Sequence, residues 1–479
     1  MKKTIRIVLA LALVASMALA MVGCDETPAA EKLAQGVDAT NHVITVGNTA
    51  ATSGAFASVG VPFNYAQEAY FWYFENHTDG YKDAEGNKYS IKLMHYDDGF
   101  DGVAGKTYTQ KLVEEDKVFA LVGHFGTNTV GATVDYITEN GIPMVYGVCG
   151  VSDLYNTERN IMTVQPIYDT EGQSMVATAF ASKEAGGLAA TKLGVISTTD
   201  EAGKGMLNGI KIEVEKLGKG SAVTYQEAAA DATDYSAQVT ALKNAGCDVV
   251  VMGVIGADFT AALTAMANAN YYVPVLTSYN NANAGILNDA ATTILAEQYT
   301  DVLTNIPIYA QAWLDITSTE YFYTNPDSAL LKGYEALGLA QPGVGMPGFK
   351  EEYWVVAEKI FNYCTEQGMD NAFAMSYDSY ALAGYIAGDL FCQGLKELQA
   401  QGKELTRANY VDVLESKEYQ VAMADTISFA NGMRSGVQSF ALTMFYDAFT
   451  INGGAYHSAS SATVHGLTSI DDYRALIKG

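Results

Sequence analysis

The chain has 479 residues, 54 acidic against 28 basic side chains and a formal net charge of -26, so it lacks the Lys/Arg surplus that a nucleic-acid partner would demand. With 49% hydrophobic and only 17% charged residues it is not a disordered acidic polymer, and it can bury a core large enough for two globular domains or one large one. Five arginines (Arg6, Arg159, Arg407, Arg434 and Arg474) leave few bidentate clamps for phosphate or carboxylate.

The N-terminus begins with Lys2, Lys3 and Arg6, continues as an apolar stretch over residues 7–22, and ends in Gly23-Cys24. A basic start, an Ala-rich stretch broken by Ser16 and a small residue at its end are features of an export signal, and the stretch falls just short of the roughly 17–25 residues a spanning helix needs. Residues 21–24 are similar to a bacterial lipobox, in which cleavage precedes the cysteine and its thiol is diacylglycerated, although Met21 stands where leucine is usual. Residues 1–23 are therefore expected to be a lipoprotein signal peptide. Residues 24–41 are expected to be the lipidated Cys24 and a flexible tether, since 25–41 lack sustained periodicity. Processing leaves 456 residues and, by removing three bases and no acids, a charge of -29. Of the remaining cysteines, Cys149, Cys247, Cys364 and Cys392, none are spaced as CxxC, which gives no support to a metal or dithiol site. Cys364 and Cys392 fall on helix-like segments, where a pair or two buried thiols are both possible.

From residue 43 short β-branched runs alternate with helical patterns, the signature of a parallel sheet wrapped by helices. Strands are expected at 43–46, 91–95, 118–122 and 143–146, with helices at 59–75, 101–115 and 128–139. After 161–165 the pattern restarts. Helices at 170–184, 203–216, 235–244 and 258–269 alternate with strands at 193–197, 222–225, 248–252 and 273–277. Beyond residue 289 the alternation decays into helices at 311–323, 351–366, 377–399 and 407–415, late strands at 426–429 and 438–446, and a short amphipathic helix at 470–478. Residues 337–349 read as a Gly/Pro-rich loop and 81–90 as an inserted turn. The expected division is an α/β lobe over 42–164, a second over 165–300, and a segment 301–479 that returns to complete both.

Seven stretches carry a resemblance over nearly the whole processed chain: VITVGNTAATSGAFASVG, YSIKLMHYDDGFD, LVEEDKVFALVGHFGTNTVGATVDYITENGIPMVYG, KLGVISTTDEAGKGM with DYSAQVTALKNAGCDVVVMG, and SYDSYALAGYIAG with SFANGMRSG. In order and spacing the chain resembles the type I periplasmic-binding-protein family, the solute-binding proteins of ABC importers, in the branch of leucine/isoleucine/valine, amide and urea binders. The resemblance implies an α/β fold of two Rossmann-like lobes with parallel sheets, joined by a three-strand hinge, with ligand held between them. It also implies a monomeric, extracytoplasmic, lipid-anchored protein that hands a small polar ligand to the permease and ATPase subunits of an importer, with no cofactor. A ligand sensor of the same fold, acting with a membrane receptor, is the alternative.

In an open parallel sheet, ligands sit beyond the carboxyl ends of the strands. That places Ser53, Phe56, Thr127, Asn128, Tyr146, Cys149, Glu201, Ile255, Tyr279 and Asn280 on candidate binding loops. Thr127 or Asn128 can cap the helix that follows, leaving its N–H groups for a carboxylate or amide oxygen. In amino-acid binders of this family an acid near Tyr279-Asn280 would pair with the ligand's α-ammonium, and tyrosines would close over it. Here neither residue is anionic, and Val59, Ala202 and Ile255 or Gly256 occupy the tyrosine places. A zwitterionic ligand would have to use Glu201 or Asp258.

Catalytic motifs fail on spacing. The residue five before Gly105-Lys106-Thr107 is Phe100 where a phosphate loop needs glycine, residues 203–209 miss the dinucleotide spacing, and there is no GxSxG or HExxH. Of six scattered histidines only His124 lies near the loops, where a solvent or core role is expected rather than ligation or catalysis. Asp97 and Asp98 are expected to cap the loop after their strand. No enzyme and no metal site is expected.

Overall fold

Two parallel sheets set the architecture. The computed structural model describes residues 34–155, 160–281, 306–318, 348–369, 372–376, 378–451 and 456–478. In the first lobe β1 (Val37–Asp38), β2 (Val43–Ala50), β3 (Tyr81–Lys82), β4 (Lys88–Asp97), β5 (Leu121–Val122) and β6 (Met144–Val145) form a sheet of order β3-β4-β2-β5-β6, with β1 paired to β2. The pairs β2–β4, β2–β5 and β5–β6 are parallel. The helices are α1 (Ala57–His77), α2 (Gly102–Glu114) and α3 (Thr127–Glu139). The last five residues of β2 are all buried, as a central strand covered on both faces must be.

The second lobe repeats the scheme with α4 (Tyr168–Phe180), α5 (Glu201–Lys216), α6 (Ser236–Ala245) and α7 (Ala257–Asn268). Its strands are β7 (Leu193–Thr198), β8 (Val223–Ala228), β9 (Val249–Gly253), β10 (Val275–Thr277) and β11 (Ile308–Ala312), in the order β11-β10-β9-β7-β8. Every residue of β7 and β9 is buried, as in a parallel sheet covered on both faces.

The returning chain adds to both lobes. Short ribbons pair β12 (Thr317–Ser318) with β13 (Gly348–Phe349) and β14 (Glu418–Tyr419) with β15 (Ile427–Ser428). The helices α8 (Glu351–Glu366), α9 (Ala372–Ser376), α10 (Ser379–Ala400) and α11 (Arg407–Leu414) lie against the first lobe. There Arg407 donates to the carbonyls of Val118 at 2.7 Å and Phe119 at 2.8 Å. Gly384 of α10 meets α1 so closely that a Cβ would lie 1.9 Å from the Phe63 carbonyl oxygen. The chain then crosses to the second sheet. There β16 (Ser439–Ile451) pairs antiparallel with β11, β17 (Tyr456–Ser469) pairs with β16, and α12 (Ile470–Lys478) packs on α4.

The chain passes between lobes near residues 164–167, 312–316 and 434–438. The first and third passages run side by side: Thr163 bridges Ser435, and the Val437 N–H donates to the Val164 carbonyl at 2.8 Å. Gly436 sits there at φ +74, with the Gln165 carbonyl oxygen 2.1 Å from where a Cβ would stand, so the site requires glycine.

One expected element is corrected. Residues 311–318 of the helix expected at 311–323 are not helical: Gln311 and Ala312 end β11, which is bonded to β10 on one side and β16 on the other. Ladder bonds on both edges and full burial of Ile308 and Ala310 outweigh the helix propensity of Gln, Ala, Trp and Leu. Residues 319–323 and 337–347 of the expected helix and loop lie outside the described residues, as does the expected signal with Cys24. Cys364 and Cys392 are buried free thiols, as are Cys149 and Cys247.

Candidate functional site

A cavity of about 460 Å³ lies between the lobes, walled by the loops that leave the carboxyl ends of both sheets. After β2 the backbone is held by Asp97, which accepts from the Thr52 N–H at 2.9 Å and the Gly99 N–H at 3.1 Å. Burial raises the affinity of Asp97 for a proton, but these bonds and one from the Ser53 hydroxyl outweigh it and keep the carboxyl below its usual range. Ser53 is thereby spent on Asp97 at the exposed rim, outside the wall, which corrects its expected role. Phe56 does line the cavity, stacked on Phe100 with ring centroids 4.2 Å apart. Asp98 fixes the loop that carries Phe100: it accepts from the Phe100 N–H at 2.9 Å and from the hydroxyls of Thr49 at 2.8 Å and Thr129 at 2.7 Å. Both carboxylates hold loops, as their position at the strand end suggests.

After β5 the chain turns through Phe125 and Gly126 into α3. Gly126, at φ +105, is the N-cap and no side chain caps the helix, so neither Thr127 nor Asn128 plays the expected capping role. Gly126 and Thr127 line the cavity. Asn128 does not; it is exposed, and its amide reaches only the Phe100 carbonyl at 3.5 Å. His124 belongs to the core. Its Nδ1 accepts from the Thr49 N–H at 3.2 Å, Nε2 lies 3.3 and 3.2 Å from the hydroxyls of Thr109 and Thr133, and burial pushes its pKa down to about 3.

After β6, Tyr146 takes φ +61, uncommon for a side chain of its size, and is fully buried behind the wall. Its hydroxyl donates to Gln165 Oε1 at 3.3 Å, and Gln165 lines the cavity in its place. Val148, Cys149 and Gly150 follow in the wall. Burial pushes the Cys149 thiol above its usual pKa, with the neighbouring Thr127 hydroxyl offsetting part of the shift.

The second lobe contributes Tyr168, Ile255, Gly256, Tyr279 and Asn280. Asn281 braces two of these loops: its Oδ1 accepts from the Gly256 N–H at 2.9 Å, and its Nδ2 donates to the Val254 carbonyl at 2.8 Å. Glu171, one turn along α4 from Tyr168, accepts from the Tyr279 N–H at 2.6 Å, and burial pushes its carboxyl up to about 8. Its other oxygen is buried without a partner. Glu201 stands outside the wall, exposed in the first turn of α5 and 3.3 Å from Lys204. Asp258 is taken by the Tyr235 hydroxyl and the Asp231 N–H.

Thus Phe56, Thr127, Cys149, Ile255, Tyr279 and Asn280 come together, while Ser53, Asn128, Tyr146 and Glu201 stay out. Sequence reasoning missed Phe100, Gln165 and Tyr168, and the whole contribution of the returning chain: Trp313, Leu314 and Ile316 in the second passage, Tyr380, Leu382 and Ala383 on α10, and Thr443 on β16. The one available signal was the SYDSYALAG stretch that contains Tyr380.

Comparison with known proteins agrees with this geometry. The family described as periplasmic binding proteins matches residues 43–344. An amino acid binding protein of Pseudomonas aeruginosa is 25% identical over 231 residues, 44% of this chain and 54% of that relative, so the chain matches about half the length of that curated protein. A fatty acid ABC transporter substrate-binding protein from Thermomonospora curvata superimposes with a TM-score of 0.60 at 16% identity, covering 92% of this chain and 96% of that one. A solute-binding protein of an R. palustris ABC transporter, solved with 4-hydroxybenzoate, gives 0.59 at 14% identity, covering 91% and 100%. At these identities the structures speak for the fold.

Proposed function

From the premise that the chain belongs to the periplasmic binding protein family, we propose that it captures a small organic solute in the interlobe cleft, outside the cytoplasm, and delivers it to the membrane permease of an ABC importer. The observation that carries this reading is the shared wall: both lobes and the passages between them contribute to one cavity. A solute that touches both lobes binds the closed arrangement better than the open one, and that difference in affinity is what shifts the population toward closure. The passages at 163–165 and 435–437 are where the bending would fall. Sequence features of residues 1–24 support tethering through a lipid on Cys24; among the described residues no helix is long and apolar enough to cross a membrane.

Thermal-shift screening of the processed 456-residue body against amino acids, carboxylic acids, amides, urea, nucleosides and short peptides tests the capture reading. One solute class is expected to raise Tm. Turnover of the hit, or no stabilisation by any small solute, overturns it. For the anchor, Cys24→Ser is expected to move the protein from the membrane fraction to the soluble one; retention in the membrane contradicts lipidation.

A further inference from the structure

The class of solute can be narrowed from the wall itself, on the assumption that the capture reading holds. Among the described residues that line the cavity there is no Asp, Glu, Lys, Arg or His. The first lobe presents Phe56, Phe100 and Phe125, the passage Trp313, and the second lobe Ile255 and Tyr279. An ammonium group placed among these gives up its water with no carboxylate to replace it, a cost that aromatic faces only partly offset. The acids that stand beside wall residues in the sequence are engaged elsewhere: Asp98 accepts from the hydroxyls of Thr49 and Thr129, Asp169 from the Asn208 amide and Asp378 from the Tyr380 N–H, and Asp315 pairs with Lys350. Glu171 holds the Tyr279 N–H behind the wall, where burial favours its neutral form, Glu201 pairs with Lys204 outside it, and Asp258 is held by Tyr235 and Asp231. Among the polar groups of the wall, the Asn280 carboxamide gives one N–H to the Ser278 hydroxyl at 3.0 Å and keeps a second that can donate to an oxygen acceptor. At about 460 Å³ the space falls in the ordinary range for small-molecule pockets, roughly 300–1,000 Å³.

We propose that the cleft selects molecules with an apolar ring-bearing or branched body ending in an oxygen acceptor and carrying no ammonium group, and that it rejects free α-amino acids. The contrast lies in one functional group, so matched pairs test it. Isothermal titration of the processed protein with 3-phenylpropanoate against phenylalanine, and with 4-methylpentanoate against leucine, is expected to show the member without the ammonium binding at least about tenfold tighter, the worth of one charge-assisted hydrogen bond. Including 3-phenylpropanamide separates a carboxylate from an uncharged acceptor, both within the class. Asn280→Asp places an anion in the wall with almost no change of shape and is expected to shift the preference toward the amino acids by a similar factor. Equal or tighter binding of the amino acid in the unsubstituted protein overturns the proposal, as does tighter binding of a quaternary ammonium probe such as choline. If no member of the pairs binds while another solute class raises Tm, this proposal fails and the capture reading stands; if no solute of any class binds, the capture reading itself fails.

Discussion

Two hollows in this protein differ in where their charges go. The cleft between the lobes has no charged side chain among its described wall residues. A second hollow of about 610 Å³, between α1, α8 and α10 on the first lobe, is lined by Glu351, Glu352, Lys359 and Asp389 together with Tyr70, Tyr73 and Tyr385. Two of its charges are answered by neighbouring side chains. The Lys359 ammonium lies 4.0 Å from the centre of the Tyr73 ring and donates to the Tyr385 hydroxyl at 3.1 Å, while Asp389 accepts from Gln393 at 3.0 Å. The more polar hollow thus lies between helices of one lobe, while the apolar one draws its wall from both lobes.

Substitutions can break this contrast. Trp313→Ala removes the largest apolar group of the cleft and should cost about 3–5 kcal/mol of unfolding free energy and roughly 30-fold in affinity for the stabilising solute, read by denaturant melts and calorimetry. Glu171→Gln should change the pH profile of stability. In the folded state this carboxyl titrates at about 8 against an ordinary 4.5, so between those values the folded form binds more protons than the unfolded form. Its contribution is therefore fully present below pH 4.5 and is lost as pH rises toward 8. The variant should show a flatter Tm across that window, and an unchanged slope would remove Glu171 as its source. Phe56→Ala, at a side chain 42% exposed, should lower affinity about tenfold with little change in Tm, because the ring packs mainly against Phe100 and solute. Lys359→Met, in the second hollow, should leave solute affinity unchanged and cost no more than about 1 kcal/mol of stability.

The sheets were largely legible because their central strands are buried on both faces and read as short apolar runs such as residues 193–196 and Val249–Gly253. The start of the helix expected at 311–323 was wrong because β11, which includes Gln311 and Ala312, is set by its neighbours β10 and β16, which lie far apart in sequence. The site divides the same way. Phe56, Thr127, Cys149, Ile255, Tyr279 and Asn280 follow strands within their own lobe, so the rule that ligands sit at strand carboxyl ends found them. Ser53, Asn128 and Glu201 sit on the right loops but point to Asp97, to the Phe100 carbonyl and to Lys204. Side-chain direction of that kind is set by local bonds that loop position does not reveal. Trp313 and Tyr380 were out of reach because they arrive on chain that returns from a distant part of the sequence.

Hydrogen–deuterium exchange with and without a stabilising solute tests the central claim most directly, since it reads both lobes and both hollows in one experiment. The account predicts new protection in the loops at residues 123–127, 253–256 and 279–281 together, with none added around Lys359 and Tyr385. Protection confined to one lobe, or centred on the Lys359 hollow, would contradict it.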